Sequence, residues 1–244
     1  MSTEVEPPSA PLSDMSPRLY PMRAGDPRAW SFMDVAFRGG RPFMKQRRSC
    51  EENCVNLCAQ DPSVQMLLSA LRTNGCEFDL KRHVSCEECS DGVAGGYDSK
   101  NKQVVMCQNT VGDSKKKLRV TLVHELVHMF DHCRAHLDFA NIDHLACTEV
   151  RAANIAHCQN HLQAWFDGDT GFFRSHDAHQ ECVKMRAAKS VSILKELSPA
   201  EALVAVERVF DRCYGDLEPF GRRFTFDGPQ PKLIYDQRRN YGYY

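Results

Sequence analysis

Five residues near the middle of the chain, His124-Glu125-Leu126-Val127-His128, restrict its fold more than any other feature. The pattern H-E-x-x-H has chemical meaning only on an α-helix. Residues four apart lie one turn apart on the same face, so both imidazoles can point at one ion. Glu125 sits about 100° further round, because a helix has ~3.6 residues per turn. Its carboxylate can then hold a water beside the ion without becoming a ligand. The pattern therefore calls for a helix with a metal-binding face and points to a metal-dependent hydrolase, foremost a protease.

The setting supports that reading. Val120, Val123, Val127 and Phe130 form an apolar stripe at helical spacing, beside the histidine face and not on it. One face in a core and the next carrying His, His and Glu is what a metallopeptidase helix needs. The competing reading is an ordinary amphipathic helix with a solvated histidine face.

A catalytic zinc ion takes three protein ligands and leaves a position open. The spacing H-E-x-x-H-x-x-G-x-x-H fails, since Asp131 stands at the glycine position and Arg134 at the last histidine. His132 continues the histidine row but lies two turns from His124, about 12 Å along the axis. His132 and His136 are thus not expected as ligands. Glu149, near the start of the next helix, is the first choice, with small neighbours Ala152 and Ala153 permitting close helix packing. Asp143 and His144 in the connection are the runners-up. Otherwise Glu149 is a buried partner of Arg151 or a supporting carboxylate.

With 244 residues, 42% hydrophobic and 26% charged, the chain suits one sizeable globular domain, or one domain with a tail. A net charge of −1 argues against nucleic acid as a partner. Residues 18–48 carry eight Arg or Lys against two Asp, net +6, read as a solvated basic tail. No stretch approaches the ~18 apolar residues of a membrane span. The start, MSTEVEPPSAPLSD, fits neither a secretory signal nor a basic, cleavable presequence.

Twelve cysteines are many for a reducing compartment. A disulfide framework of up to six bridges comes first. A structural zinc held by Cys54-x3-Cys58 with Cys86-x2-Cys89, or a set of reduced buried thiols, stands behind it. Cys147 and Cys158 lie ~16 Å apart on one predicted helix and cannot pair with each other. Cys133, Cys182 and Cys213 are their candidate partners.

Residues 1–48 are rich in Pro, Gly, Ser and Arg and are expected to be mostly disordered, with the metalloprotease domain spanning 49–244. Asp61, Pro62 and Gly75 bound a helix over about 62–74. Val93–Ser99 and Gln103–Gln108 flank the turn Lys100-Asn101-Lys102 and predict a β-hairpin, whose edge could pair with an extended substrate. The metal-face helix starts near Ser114. Further helices are expected over about 144–165, 177–197 and 199–214, the last begun by the capping box Ser198-Pro199-Ala200-Glu201. Residues after 215 read as an irregular tail. The expected fold is a helix-rich α+β, zincin-like domain with a small sheet before the catalytic helix.

The stretch HELVHMFDHCRAHLDFANIDHLACTEVRAANI resembles the signature of a mitochondrial inner-membrane metalloprotease family. That family matures a subunit of the ATP synthase membrane sector, and its vertebrate member has also been called a Ku-binding protein. The resemblance runs from about Cys50 to the Cys213–Phe220 segment. It implies a protein held peripherally on the intermembrane-space side of the inner membrane, trapped there by cysteine oxidation. It implies one Zn2+, with His124 and His128 as ligands and Glu125 as the catalytic acid/base. Its implied partners are a precursor protein substrate and ATP synthase membrane-sector subunits. Three functions stand at this point: a precursor-processing endopeptidase, an assembly chaperone with secondary protease activity, and a nuclear Ku-associated repair protein.

Overall fold

A computed structural model describes residues 14–24, 40–159 and 178–244. The first two helices meet at Asp61. Its side chain accepts hydrogen bonds from Ser63 N and Val64 N, so helix α1 (Gly40–Gln60) stops and α2 (Pro62–Thr73) starts there. Gly75 leaves α2 with a φ of +80°, a conformation that costs glycine little.

Three short strands follow: β1 (Val84–Glu87), β2 (Gly95–Asp98) and β3 (Gln103–Cys107). They form one sheet in the order β1-β3-β2. β2 and β3 are the predicted hairpin, antiparallel with Tyr97 opposite Val104. β1 joins the other side of β3 in parallel, with Cys86 opposite Met106.

Helix α3 (Lys115–Arg134) carries the H-E-x-x-H segment and is capped by Ser114, which accepts from Lys117 N. Helix α4 (Ile142–Ala152) is capped by Asn141 and runs into a π-helical turn, Ala153–His157. The helix expected to reach Trp165 stops at His157, with Cys158 as its C-cap, and residues 160–165 lie outside the described residues. Helix α5 (Ala178–Lys195) precedes α6 (Pro199–Gly215), which has the predicted reciprocal Ser198–Glu201 box. Helix α7 (Gln230–Asp236) follows.

Among the described residues two large apolar cores result, with a third, smaller cluster of Tyr20, Cys89, Val105 and Cys107. One joins the sheet, α2 and α3 through residues such as Leu67, Met106, Leu122, Val127 and Phe130. The other joins α4, α5 and α6 through Val150, Val183, Val191, Val206 and Phe210. The fold is the helix-rich α+β class expected, and the seam where α3 meets α4 lies between the two cores.

The chain departs from the sequence reading at both ends. Helix α1 begins at Gly40, inside the stretch read as a tail, and two of its basic residues are partnered one turn on: Arg47 by Glu51 at 2.9 Å and Arg48 by Glu52 at 2.7 Å. Residues 14–24 lie against the sheet with Tyr20 buried. Residues 1–13 and 25–39 of that stretch lie outside the described residues. After 215, Phe220, Phe224 and Ile234 anchor the segment in the first core, although no periodicity announces it.

Five disulfides staple these elements: Cys50–Cys86, Cys76–Cys133, Cys89–Cys107, Cys147–Cys213 and Cys158–Cys182. Cys147 and Cys158 each find a partner among the expected candidates, while Cys133 pairs with Cys76 instead. A zinc site of Cys54, Cys58, Cys86 and Cys89 is ruled out here, because Cys86 and Cys89 are each in a disulfide. Cys54 and Cys58 are the free thiols.

Candidate active site

His124 and His128 come from one face of α3, a turn apart, with Nε2 atoms 3.0 Å from each other. Glu149 reaches the same point from α4. Its Oε2 lies 3.5 Å from His124 Nε2 and its Oε1 3.6 Å from His128 Nε2. A tetrahedral zinc with bonds of ~2.1 Å holds its ligand atoms ~3.4 Å apart. The spacings of 3.0, 3.5 and 3.6 Å bracket that value, the two Glu149 distances being to its two oxygens, and the ligand atoms of His124, Glu125 and His128 also lie within 4.8 Å of one another. Glu149 Oε2 is buried without a hydrogen-bond donor, which costs free energy unless a cation completes it. Two nitrogens and a carboxylate are a donor set suited to zinc.

The alternatives for the third donor are engaged elsewhere. Asp143 pairs with Arg208 at 2.5 Å, and His144 Nδ1 accepts from Asp138 N at 3.2 Å. His132, one turn beyond His128 on the same face, contacts the Tyr97 hydroxyl at 3.0 Å. Arg151 bonds Asp131 at 2.6 Å and not Glu149.

Glu125 is buried beside the sheet, with Oε1 close to Gly95 of β2. Burial raises its carboxyl pKa to about 7; the His124 charge opposes that rise and the Glu149 charge adds to it. A carboxyl poised near neutrality can both take and return a proton. Burial pushes His128 down to about 4, so its ring stays neutral. Burial also lowers His124, but its interactions with Glu149 and Glu125 outweigh this and raise it.

Behind the ligands stands a buried polar chain that sequence reasoning missed. His128 Nδ1 lies 2.9 Å from Thr148 Oγ1, which donates to Asp131 Oδ2 at 2.8 Å. Asp131 is held in turn by Arg151 and by Arg134, whose Nε is 3.1 Å from Oδ1. On the other side, His157 Nε2 in the π turn sits 3.2 Å from His124 Nδ1. Such outer partners orient metal-binding imidazoles. Nothing in their spacing reveals them, since they come from α3, α4 and the turn after it.

The model of the Peptidase M76 family matches residues 48–221 of this chain. A human protein named mitochondrial inner membrane protease ATP23 homolog is 41% identical over 181 residues, covering 74% of this chain and 72% of its own length. The Xenopus laevis protein of the same name is 44% identical over 165 residues, 66% of this chain and 67% of its own. The mitochondrial inner membrane protease atp23 of Schizosaccharomyces pombe is 36% identical over 199 residues, 80% of this chain and 96% of its own. No solved structure matches.

Proposed function

The chain belongs to the Peptidase M76 family, and we propose that it is a zinc-dependent metalloendopeptidase of the mitochondrial inner membrane. In this reading it sits peripherally on the intermembrane-space side, processes the precursor of an ATP synthase membrane-sector subunit and assists assembly of that complex. The Glu149 carboxylate, with Oε2 buried without a hydrogen-bond donor 3.5 Å from His124 Nε2 and Oε1 3.6 Å from His128 Nε2, supports the metal site most directly. The names of the relatives support the membrane, and five disulfides suit an oxidising compartment better than the nucleus. No helix among the described residues is long and apolar enough to cross a membrane.

His124, His128 and Glu149 would hold the ion. Zinc, when bound there, supplies Lewis acidity at the reacting carbonyl. Glu125 takes the proton of the attacking water and passes it to the leaving amine. Thr148 and His157 hold the two imidazoles in orientation. Burial of Glu125, His128, Thr148 and Glu149 keeps bulk water from competing with their contacts.

Glu125→Gln tests the mechanism. It should abolish peptide hydrolysis while zinc content stays at one ion per chain, because the carboxylate is a base and not a ligand. Full activity in a zinc-loaded Glu125→Gln protein would rule the mechanism out. Assembly activity should survive the same change if it depends on surface contacts.

A further inference from the structure

Among the described residues β2 is an edge strand, and its open side borders the site. Cys107 N donates to the Ala94 carbonyl at 3.0 Å. Antiparallel pairs alternate, so Gly96 and Asp98 direct their backbone groups to β3, and Gly95 and Tyr97 direct theirs to the open edge. Gly95 also lies against the catalytic helix: a Cβ added to it would stand 3.3 Å from Glu125 Oε1 and 2.6 Å from Thr121 Cγ2. An extended peptide that reaches Glu125 along this strand needs the Gly95 carbonyl as an acceptor.

That carbonyl is already taken. The Tyr20 hydroxyl donates to it at 2.7 Å. Tyr20 crosses the strand where Gly96 lacks a side chain; a Cβ there would overlap the phenol and approach Met15 Cε to 2.5 Å. Burial, then the charges of Glu125 and Glu149, hold the phenol pKa far above its usual value, so the hydroxyl remains a donor. Further along, Ser90 N donates to the Leu19 carbonyl at 3.0 Å. The anchor is Arg23, well away from the histidines. Its guanidinium forks onto Glu87 at 2.6 and 3.2 Å and reaches Asp98 at 2.8 Å.

We infer that residues 14–24 are a strap filling the peptide-docking edge of β2, with the Tyr20 hydroxyl standing where a substrate backbone N–H would bond. An extended protein substrate then binds by displacing the strap. The segment contains only one short 3-10 turn, Pro21–Ala24; Arg23 and Tyr20 hold it to the strands, while Asp14 accepts from Ser99, the Arg18 and Leu19 carbonyls from Ser90, and Met22 Sδ from Glu88 N in the flanking loops. The inference rests on the peptidase reading of the site.

The test uses the full-length, zinc-loaded protein and two probes. Acetohydroxamate reaches only the metal; a tripeptidyl hydroxamate must also lie along β2. Arg23→Gln should tighten the tripeptidyl probe by about fivefold, the scale of one hydrogen bond no longer competed for, and leave acetohydroxamate unchanged. Tyr20→Phe, which removes a single oxygen, should act in the same direction and keeps the test valid if Arg23→Gln fails to fold. Tripeptidyl affinity that is equal or weaker in the folded variants overturns the strap. If acetohydroxamate binds no form, the metal-site reading fails instead. The strap is then read by amide exchange, where Gly95 to Tyr97 should exchange faster in the variants; unchanged exchange overturns it.

Discussion

Thr148 Oγ1 lies 2.9 Å from His128 Nδ1, and the shared hydrogen belongs to the histidine. The threonine directs its own proton to Asp131 Oδ2 at 2.8 Å, so it can only accept from the ring. That leaves His128 Nε2 with a free lone pair on the side of His124 and Glu149. One hydroxyl thus selects the tautomer able to bind a cation.

Thr148→Val should therefore weaken zinc binding by ~10–100-fold, the usual effect of losing an outer partner. Thr148→Ser, which keeps the hydroxyl, should stay near the parent affinity. Equilibrium dialysis reads both. Equal affinity in the parent and the valine variant would remove the tautomer role.

Glu149→Ala should lower zinc affinity by at least ~tenfold, since it removes a proposed ligand and not only a support. Asp143→Ala and His144→Ala should change it little, because the first pairs with Arg208 and the second accepts from Asp138 N. Competition against a chromophoric chelator compares the three. Normal zinc binding by Glu149→Ala, with loss in His144→Ala, would move the third ligand into the α3–α4 connection.

Zinc affinity should fall on acidification, and His124 should set where. Protons and metal compete for its Nε2, and its pKa is raised above the usual 6.5 by Glu149 and Glu125 against the effect of burial. Below that pKa, each pH unit should cost ~tenfold in affinity, one proton per ion bound. Above it the affinity should level off. His128, pushed down to about 4, adds no second proton until far lower pH. Zinc dissociation constants measured across this range check the sign and the slope; an affinity that does not change with pH contradicts the assignment.

Alkylation of the unfolded, unreduced protein should label Cys54 and Cys58 and leave ten cysteines in five pairs. In the folded state both thiols should react slowly, since burial pushes them up to about 12 and about 11. Replacing Cys147 and Cys213 together by serine removes the staple between α4 and α6 and should destabilise the fold by ~2–4 kcal/mol. Mass spectrometry and denaturant unfolding measure the two effects. Twelve alkylated cysteines would remove both the framework and the oxidising compartment inferred from it.

What the sequence by itself determined lies within a few residues of its own signal. Asp61, Ser114 and Ser198 cap the helices they announce, because a cap depends only on the next three positions. The β2–β3 hairpin follows from its turn and alternation. His124, Glu125 and His128 share a helix face because the helix repeat requires it. Only the tertiary structure decided which carboxylate met them. Glu149 lies on a second helix, and the choice over Asp143 and His144 depends on how α3 and α4 pack. The same holds for Thr148, Asp131 and Arg151, and for the partner of each cysteine. Charge counting failed at Arg23, which reads as part of a solvated tail, because its partners Glu87 and Asp98 lie 64 and 75 residues away. Local geometry repeats along the chain and can be read from spacing. A contact across such distances depends on the packed arrangement of elements, which no local spacing encodes.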